Sequence, residues 1–280
     1  MTKPRARHTK RRPRSKRQKH SAAVLLLCTA AVLFATFLWR EACRVSTVGP
    51  LPEESSAEEE FRPQVGDPPY RVAVDAGHGG TDPGARGFVQ ESELTAATAA
   101  ALTEWLQQDS NYCVLQTRTS YEETATPAQR AAAANAQAPQ LLLSIHANAA
   151  ANGSTAAGFE CYPSVPGRTW HRESFYFAQL LADGMHRAGA SLRGHGGVRY
   201  IYYLENDQKQ LVETNHAEVR TERSFTVLED VDCPAVLAEQ CFVTSEADTA
   251  RFGSAEGCKT VARVYYEAIC SYFGTEPLPA

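Results

Sequence analysis

Val72-Ala73-Val74-Asp75-Ala76-Gly77-His78-Gly79-Gly80 runs from an apolar segment straight into a glycine-bracketed histidine. A strand that ends this way puts one imidazole at the carboxyl edge of a sheet with almost no side-chain bulk around it. Carboxyl edges are where open α/β sheets hold their ligands. Two later features share the pattern. Glu91 follows His78 by thirteen residues and opens a helical run, and Leu141-Leu142-Leu143-Ser144-Ile145-His146-Ala147-Asn148 is a second apolar segment that ends in a histidine.

Outward from these segments, the chain from Tyr70 onward alternates strand-like and helix-like stretches. Strands are expected near 70–75, 111–117, 141–146, 157–162, 224–229 and 234–239, and helices over 91–107, 127–137, 170–188 and 255–273. In the first helix Leu94, Ala97, Ala101, Leu102 and Trp105 recur at helical spacing, as for a helix laid on a sheet. The alternation predicts a single α/β domain: a mostly parallel twisted sheet of about six strands with helices on both faces. Residues 194–223 are less regular, with Tyr200, Tyr202 and Tyr203 followed by a polar stretch expected to be helical. That segment reads as an insertion or lid.

Two histidines and one carboxylate are a zinc donor set, and three protein ligands leave a fourth position for a water whose pKa falls to roughly 7 on the metal. His78, Glu91 and His146 are therefore the candidate ligands. Each alone has an ordinary reading: a surface loop histidine, or a glutamate that with Glu93 complements the positive end of a helix. Their joint placement at two strand ends and one helix start argues for a metal. Gly194-His195-Gly196-Gly197 repeats the glycine-histidine pattern without a preceding strand and reads as a loop, while His171, His186 and His216 are expected to be solvated.

Glu239 ends the apolar run Pro234-Ala235-Val236-Leu237-Ala238. A carboxylate beside a core is costly unless a positive charge or a proton-transfer task awaits it, which makes Glu239 the candidate general base and acid. Arg118 and Arg130 take structural roles in this reading.

The formal net charge of −4 conceals a division: residues 1–40 carry eleven Lys and Arg and no acidic residue, the remainder seventeen basic against thirty-two acidic. Ser21 to Trp39 is a nineteen-residue run without a charge, close to the roughly 20 residues a helix needs to cross a bilayer. The basic flank before it would hold the N-terminus in the cytoplasm. The expected organisation is a basic cytoplasmic tail (1–20), a transmembrane signal anchor (21–39), an acidic disordered linker (40–69) and a catalytic domain (70–274). The protein is thus expected in the cell membrane as a single-pass chain, with its domain extracytoplasmic and no nucleic-acid partner. Cys28, Cys43, Cys113, Cys161, Cys233, Cys241, Cys258 and Cys270 include no Cys-x-x-Cys pair, and their spacing specifies no pairing.

From about Arg71 to Tyr272 the chain resembles the zinc-dependent N-acetylmuramoyl-L-alanine amidases of bacterial cell walls. The resemblance rests on separated motifs in the family's order. They are Val74 to Ala85 around His78, Glu91-Ser92-Glu93-Leu94, Thr117-Arg118, Gln129-Arg130 to Asn135, Leu143 to Asn148, Ala157-Gly158-Phe159-Glu160-Cys161-Tyr162, and Pro234 to Ser245. It implies zinc on His78, Glu91 and His146, Glu239 as the catalytic carboxylate, and peptidoglycan as substrate. Where the family usually has Gly-Phe-Ile-Thr-Asn after the glutamate, this chain has Gln240-Cys241-Phe242-Val243-Thr244-Ser245, which is expected to bring a thiol close to the site. Some relatives block the metal with a helix until an activator protein withdraws it, so Glu205, Glu213 or Glu218 is a candidate blocking group. The short, anchored arrangement resembles amidases of sporulation or cell separation. Two other readings share these residues: a zinc peptidase acting within the stem peptide, and a non-catalytic wall-binding regulator.

Overall fold

The computed structural model describes residues 61–205 and 208–280. The expected tail, anchor and first part of the linker lie outside the described residues. Among the described residues no helix is long and apolar enough to cross a membrane. Residues 61–69, the end of the expected linker, lie on the domain: the guanidinium of Arg172 stands 4.3 Å from the centroid of the Phe61 ring, and Gln140 Nε2 donates to the Val65 carbonyl at 3.0 Å.

Five strands form the central sheet: β1 (Tyr70–Ala76), β2 (Tyr112–Gln116), β3 (Leu141–Asn148), β4 (Glu160–Pro163) and β7 (Ala235–Phe242), in the order β2-β1-β3-β7-β4. The β1–β2, β1–β3 and β3–β7 pairs are parallel, and β4 adds to β7 antiparallel. The sheet is therefore mixed, which corrects the expectation of a mostly parallel one. A parallel return needs a crossover of a dozen or more residues, usually a helix. The loop from β3 to β4 carries none, so the chain comes back in the opposite sense.

Alternate residues of the central strands enter two cores, as the period of two requires. Val72, Val74, Leu141, Leu143, Val236 and Ala238 pack under α1 (Glu91–Gln108), α3 (His171–Arg187) and α5 (Ala255–Phe273). Ala73, Leu142 and Leu237 pack under α2 (Pro127–Asn135) and α4 (Thr226–Asp230). Both faces are covered, as expected, and β3 is buried from Leu141 through Ala147. Each of its fully buried leucines contributes on the order of 2 kcal/mol.

Two expected elements take a different form. The stretch near 224–229 is α4, where Val227, Leu228 and Val231 bury onto α2; a short apolar run does not by itself distinguish a strand from a buried helix. The polar part of 194–223 is the antiparallel hairpin of β5 (Arg199–Tyr203) and β6 (Lys209–Glu213) rather than a helix. Tyr200, Tyr202 and Val212 bury together on one face of the hairpin, while Ile201 on the other face of β5 packs into the core under α2 and α4.

Candidate metal centre and catalytic cleft

Each candidate ligand comes from a different element. His78 lies in the loop after β1, in the left-handed backbone region at φ 61°, a conformation that costs a non-glycine residue on the order of 1 kcal/mol. Arg118 offsets this by donating to the carbonyls of Ala76 and His78 from behind the loop. His146 is near the end of β3, and Glu91 is the first residue of α1.

The sequence around the two rings leaves room for them. A Cβ on Gly77 would lie 2.4 Å from His146 Cε1, and one on Gly84, which also needs its left-handed φ of 64°, would lie 2.7 Å from Glu91 Oε2. Behind them, buried Asp75 accepts from Thr117 Oγ1 at 2.6 Å and Ser144 Oγ at 2.8 Å and pairs with Arg130. A capping box at Thr126 and Gln129 starts α2 and so sets where Arg130 emerges.

The three residues converge. One oxygen, Glu91 Oε1, lies 3.1 Å from both His78 Nε2 and His146 Nδ1, and potential ligand atoms of the trio all fall within 4.8 Å of one another. Ligands bonded at 2.0–2.2 Å around a tetrahedral zinc stand roughly 3.3 Å apart, close to this spacing. The rest of the trio is already engaged: Glu91 accepts from the backbone N–H of Ala147 (3.1 Å) and of Ala85 (2.8 Å), and His78 Nδ1 meets Asp82 Oδ2 at 2.8 Å. His146 Nε2 is buried without a hydrogen-bond partner among the described residues. The donor set and the spacing fit a zinc ion.

Electrostatics bind the trio together. Burial opposes the charge on Glu91, but hydrogen bonds and charge from His146 and His78 hold its carboxyl well below the usual carboxylate range. Burial also works against a charged His78, yet Glu91 and Asp82 outweigh it and raise its pKa to about 9. His146, more deeply enclosed, is pushed below the usual histidine value by burial.

Glu239 faces this cluster. It pairs with His146 across β3 and β7 and with Glu160 across β7 and β4, and it lines the same cleft of ≈ 370 Å³ as the trio. Its Oε2 is buried without a partner among the described residues. Burial, then the charges of Glu91 and Glu160, push its pKa up to about 8.

The thiol expected beside the site is elsewhere. Between the pairs His146 with Glu239 and Asn148 with Phe242, β7 carries one extra residue. This bulge reverses the alternation, so Cys241 enters the core under α1, α3 and α5, where burial raises its pKa. All six cysteines among the described residues are free.

Among the described residues, the other histidines stay out of the cluster. His195, His186 and His216 are exposed. His171 is half-buried, its Nδ1 2.8 Å from the Ser164 carbonyl, and so is less solvated than expected. Of the candidate blocking glutamates, Glu213 is held by Arg199 at 2.8 Å, and Glu205 and Glu218 do not line the cleft. From residues 194–223 the cleft instead receives Tyr203 and Lys209.

Sequence reasoning gave no separate role to Asp82 or Glu160. Asp82 returns to His78 through the turn Gly79-Gly80-Thr81, a signal present in the glycines. Glu160 is 2% exposed and bound by Arg193 at 3.2 Å and Arg199 at 2.8 Å. A charged residue opening a four-residue buried strand was its signal.

Comparison with known proteins places these features together. Residues 72–271 match the family model described as N-acetylmuramoyl-L-alanine amidase. The chain is 29% identical over 207 residues to the N-acetylmuramoyl-L-alanine amidase CwlM of Bacillus licheniformis, covering 72% of this chain and 68% of that protein. Among solved structures, an N-acetylmuramoyl-L-alanine amidase from Clostridium difficile 630 aligns with a TM-score of 0.59 at 25% identity, over 74% of this chain and 98% of that one. The catalytic domain of CwlV, the amidase from Bacillus (Paenibacillus) polymyxa var. colistinus, aligns with a TM-score of 0.59 at 25% identity, over 74% and 99%.

Proposed function

The chain belongs to the N-acetylmuramoyl-L-alanine amidase family, and on that premise we propose that it hydrolyses the amide between N-acetylmuramic acid and the L-alanine of the stem peptide with zinc on His78, Glu91 and His146. The observation that carries the zinc reading is the convergence of the three side chains, their ligand atoms within 4.8 Å of one another. Zinc bound there supplies a Lewis acid for the scissile carbonyl and lowers the pKa of a bound water to roughly 7.

The chain's own residues do the rest. Asp82 accepts from His78 Nδ1–H, which fixes the tautomer and leaves Nε2 as the ligating atom. The amides of Ala85 and Ala147 hold the Glu91 carboxylate in place. Glu239, with an uncommitted carboxyl oxygen in the cleft, takes a proton from the attacking water and delivers it to the departing alanine nitrogen. Its high pKa suits it to carry that proton near neutrality.

The proposal includes an anchor: residues 21–39 would fasten the chain to the cell membrane with the hydrolase outside the cytoplasm, and an activator protein is compatible with that placement. Zinc analysis tests the metal. The purified chain should carry about one zinc, lose peptidoglycan hydrolysis on chelation and regain it with added zinc. Full activity after complete removal of metal would refute the assignment.

A further inference from the structure

The cleft is walled on one side by the β5–β6 hairpin, through Tyr203 and Lys209. These two stand opposite each other in register, and Lys209 Nζ lies 5.5 Å from the Tyr203 ring centroid, within cation–π range. Nothing in the proposed hydrolysis uses either residue. The hairpin is fastened from behind: Arg199 places one guanidinium nitrogen 2.8 Å from buried Glu160 and the other 2.8 Å from Glu213. Lys209 is thus carried by a strand tied to the sheet.

The charges around the cleft single this lysine out. Apart from the histidines, the cations lining it are Arg130 and Lys209, and Arg130 is committed to Asp75. Lys209 forms no ion pair among the described residues, although its charge is felt at Glu239. It is an available ammonium on the wall of a cleft whose acidic groups are Asp82, Glu91 and Glu239.

A muramoyl peptide is asymmetric about its scissile amide. The lactyl and sugar side offers neutral oxygens, whereas the peptide that continues from the leaving L-alanine carries the carboxylates. One ammonium complements the peptide side. We propose that Lys209, steadied by Tyr203, is a specificity-determining residue that receives a free carboxylate of the stem peptide, so that stems with a carboxylate on the residue after L-alanine are preferred over their carboxamides. This inference rests on the amidase reading above.

The test uses two synthetic muramoyl peptides that differ only in a carboxylate or carboxamide on the residue after L-alanine, hydrolysed by the zinc-loaded full chain. The carboxylate substrate should be favoured roughly tenfold in kcat/KM, mainly through KM, a size between that of an exposed ion pair and an enclosed charge-assisted hydrogen bond. High salt should shrink the preference. In K209Q the ratio should collapse toward one, and K209R should restore most of it. Equal rates on the two substrates with the unaltered chain, or a ratio unmoved in K209Q, would overturn the inference while leaving the amidase reading intact. Equal losses on both substrates in K209Q would also overturn it, by giving the lysine a general role in turnover. Cleavage of neither substrate would sink the amidase reading and this inference with it.

Discussion

Glu239 lies directly across the β3–β7 pair from His146, their Cα atoms in register. The candidate proton-handling carboxylate and a candidate metal ligand are therefore held by two adjacent parallel strands, and backbone hydrogen bonds rather than loop conformations fix their separation. The bulge that follows on β7 turns Cys241 away and leaves the carboxylate as the reactive group on that side.

Replacing Glu239 with Gln keeps the shape of the side chain and removes its capacity to carry a proton. Turnover should fall by roughly 10²–10⁴-fold, with the zinc content of the purified protein unchanged. Activity within a few-fold of the parent would place the base elsewhere.

A zinc ion held by His78 would displace its proton, and the His78 pKa in the metal-free protein is raised to about 9. Zinc affinity should therefore rise as pH increases toward 9, with a proton released on binding, measurable by calorimetry in buffers of different ionisation enthalpy. The stability of the metal-free form runs the other way. The contribution of His78 is fully present below its unfolded value near 6.5 and is lost as pH rises through about 9. Glu91, held below its usual range, contributes above that range and loses its contribution under acid. Affinity independent of pH between 6.5 and 9 would contradict the His78 assignment.

Gly77→Ala would place a Cβ 2.4 Å from His146 Cε1. The imidazole must move, and zinc affinity should drop by roughly 10–100-fold, as for other disturbances of ligand orientation. Far-ultraviolet circular dichroism should stay close to that of the parent. Unchanged affinity would mean that His146 does not hold the metal.

Arg130→Met would take the ion-pair partner from buried Asp75 and leave it the hydroxyls of Thr117 and Ser144. Urea denaturation should show a loss of about 3–5 kcal/mol. A loss below about 1 kcal/mol would mean that the ion pair adds little to the stability of the folded protein.

The central strands and the candidate ligands were legible in the sequence because their signals are local. A run such as Leu141 to Ile145 has few alternatives to a buried strand, and the glycines around His78 announce a ring that needs space. What was not legible depends on distant partners. The reversed direction of β4 follows from a helix-free connection and from its place beside β7. Leu228 becomes helical because α2 offers it a surface, and the hairpin carrying Lys209 is held by Glu160 and Arg199, thirty-nine residues apart. The side of the sheet on which Cys241 falls was set by a single extra residue, which no alternation pattern announces.

The most direct measurement is to incubate purified peptidoglycan with residues 61–280 and zinc, with and without chelator, and to identify the released fragments by mass spectrometry. The expected products are free stem peptides beginning with L-alanine, absent when the metal is removed. Shortened stem peptides, with the muramoyl–alanine amide intact, would contradict the assignment.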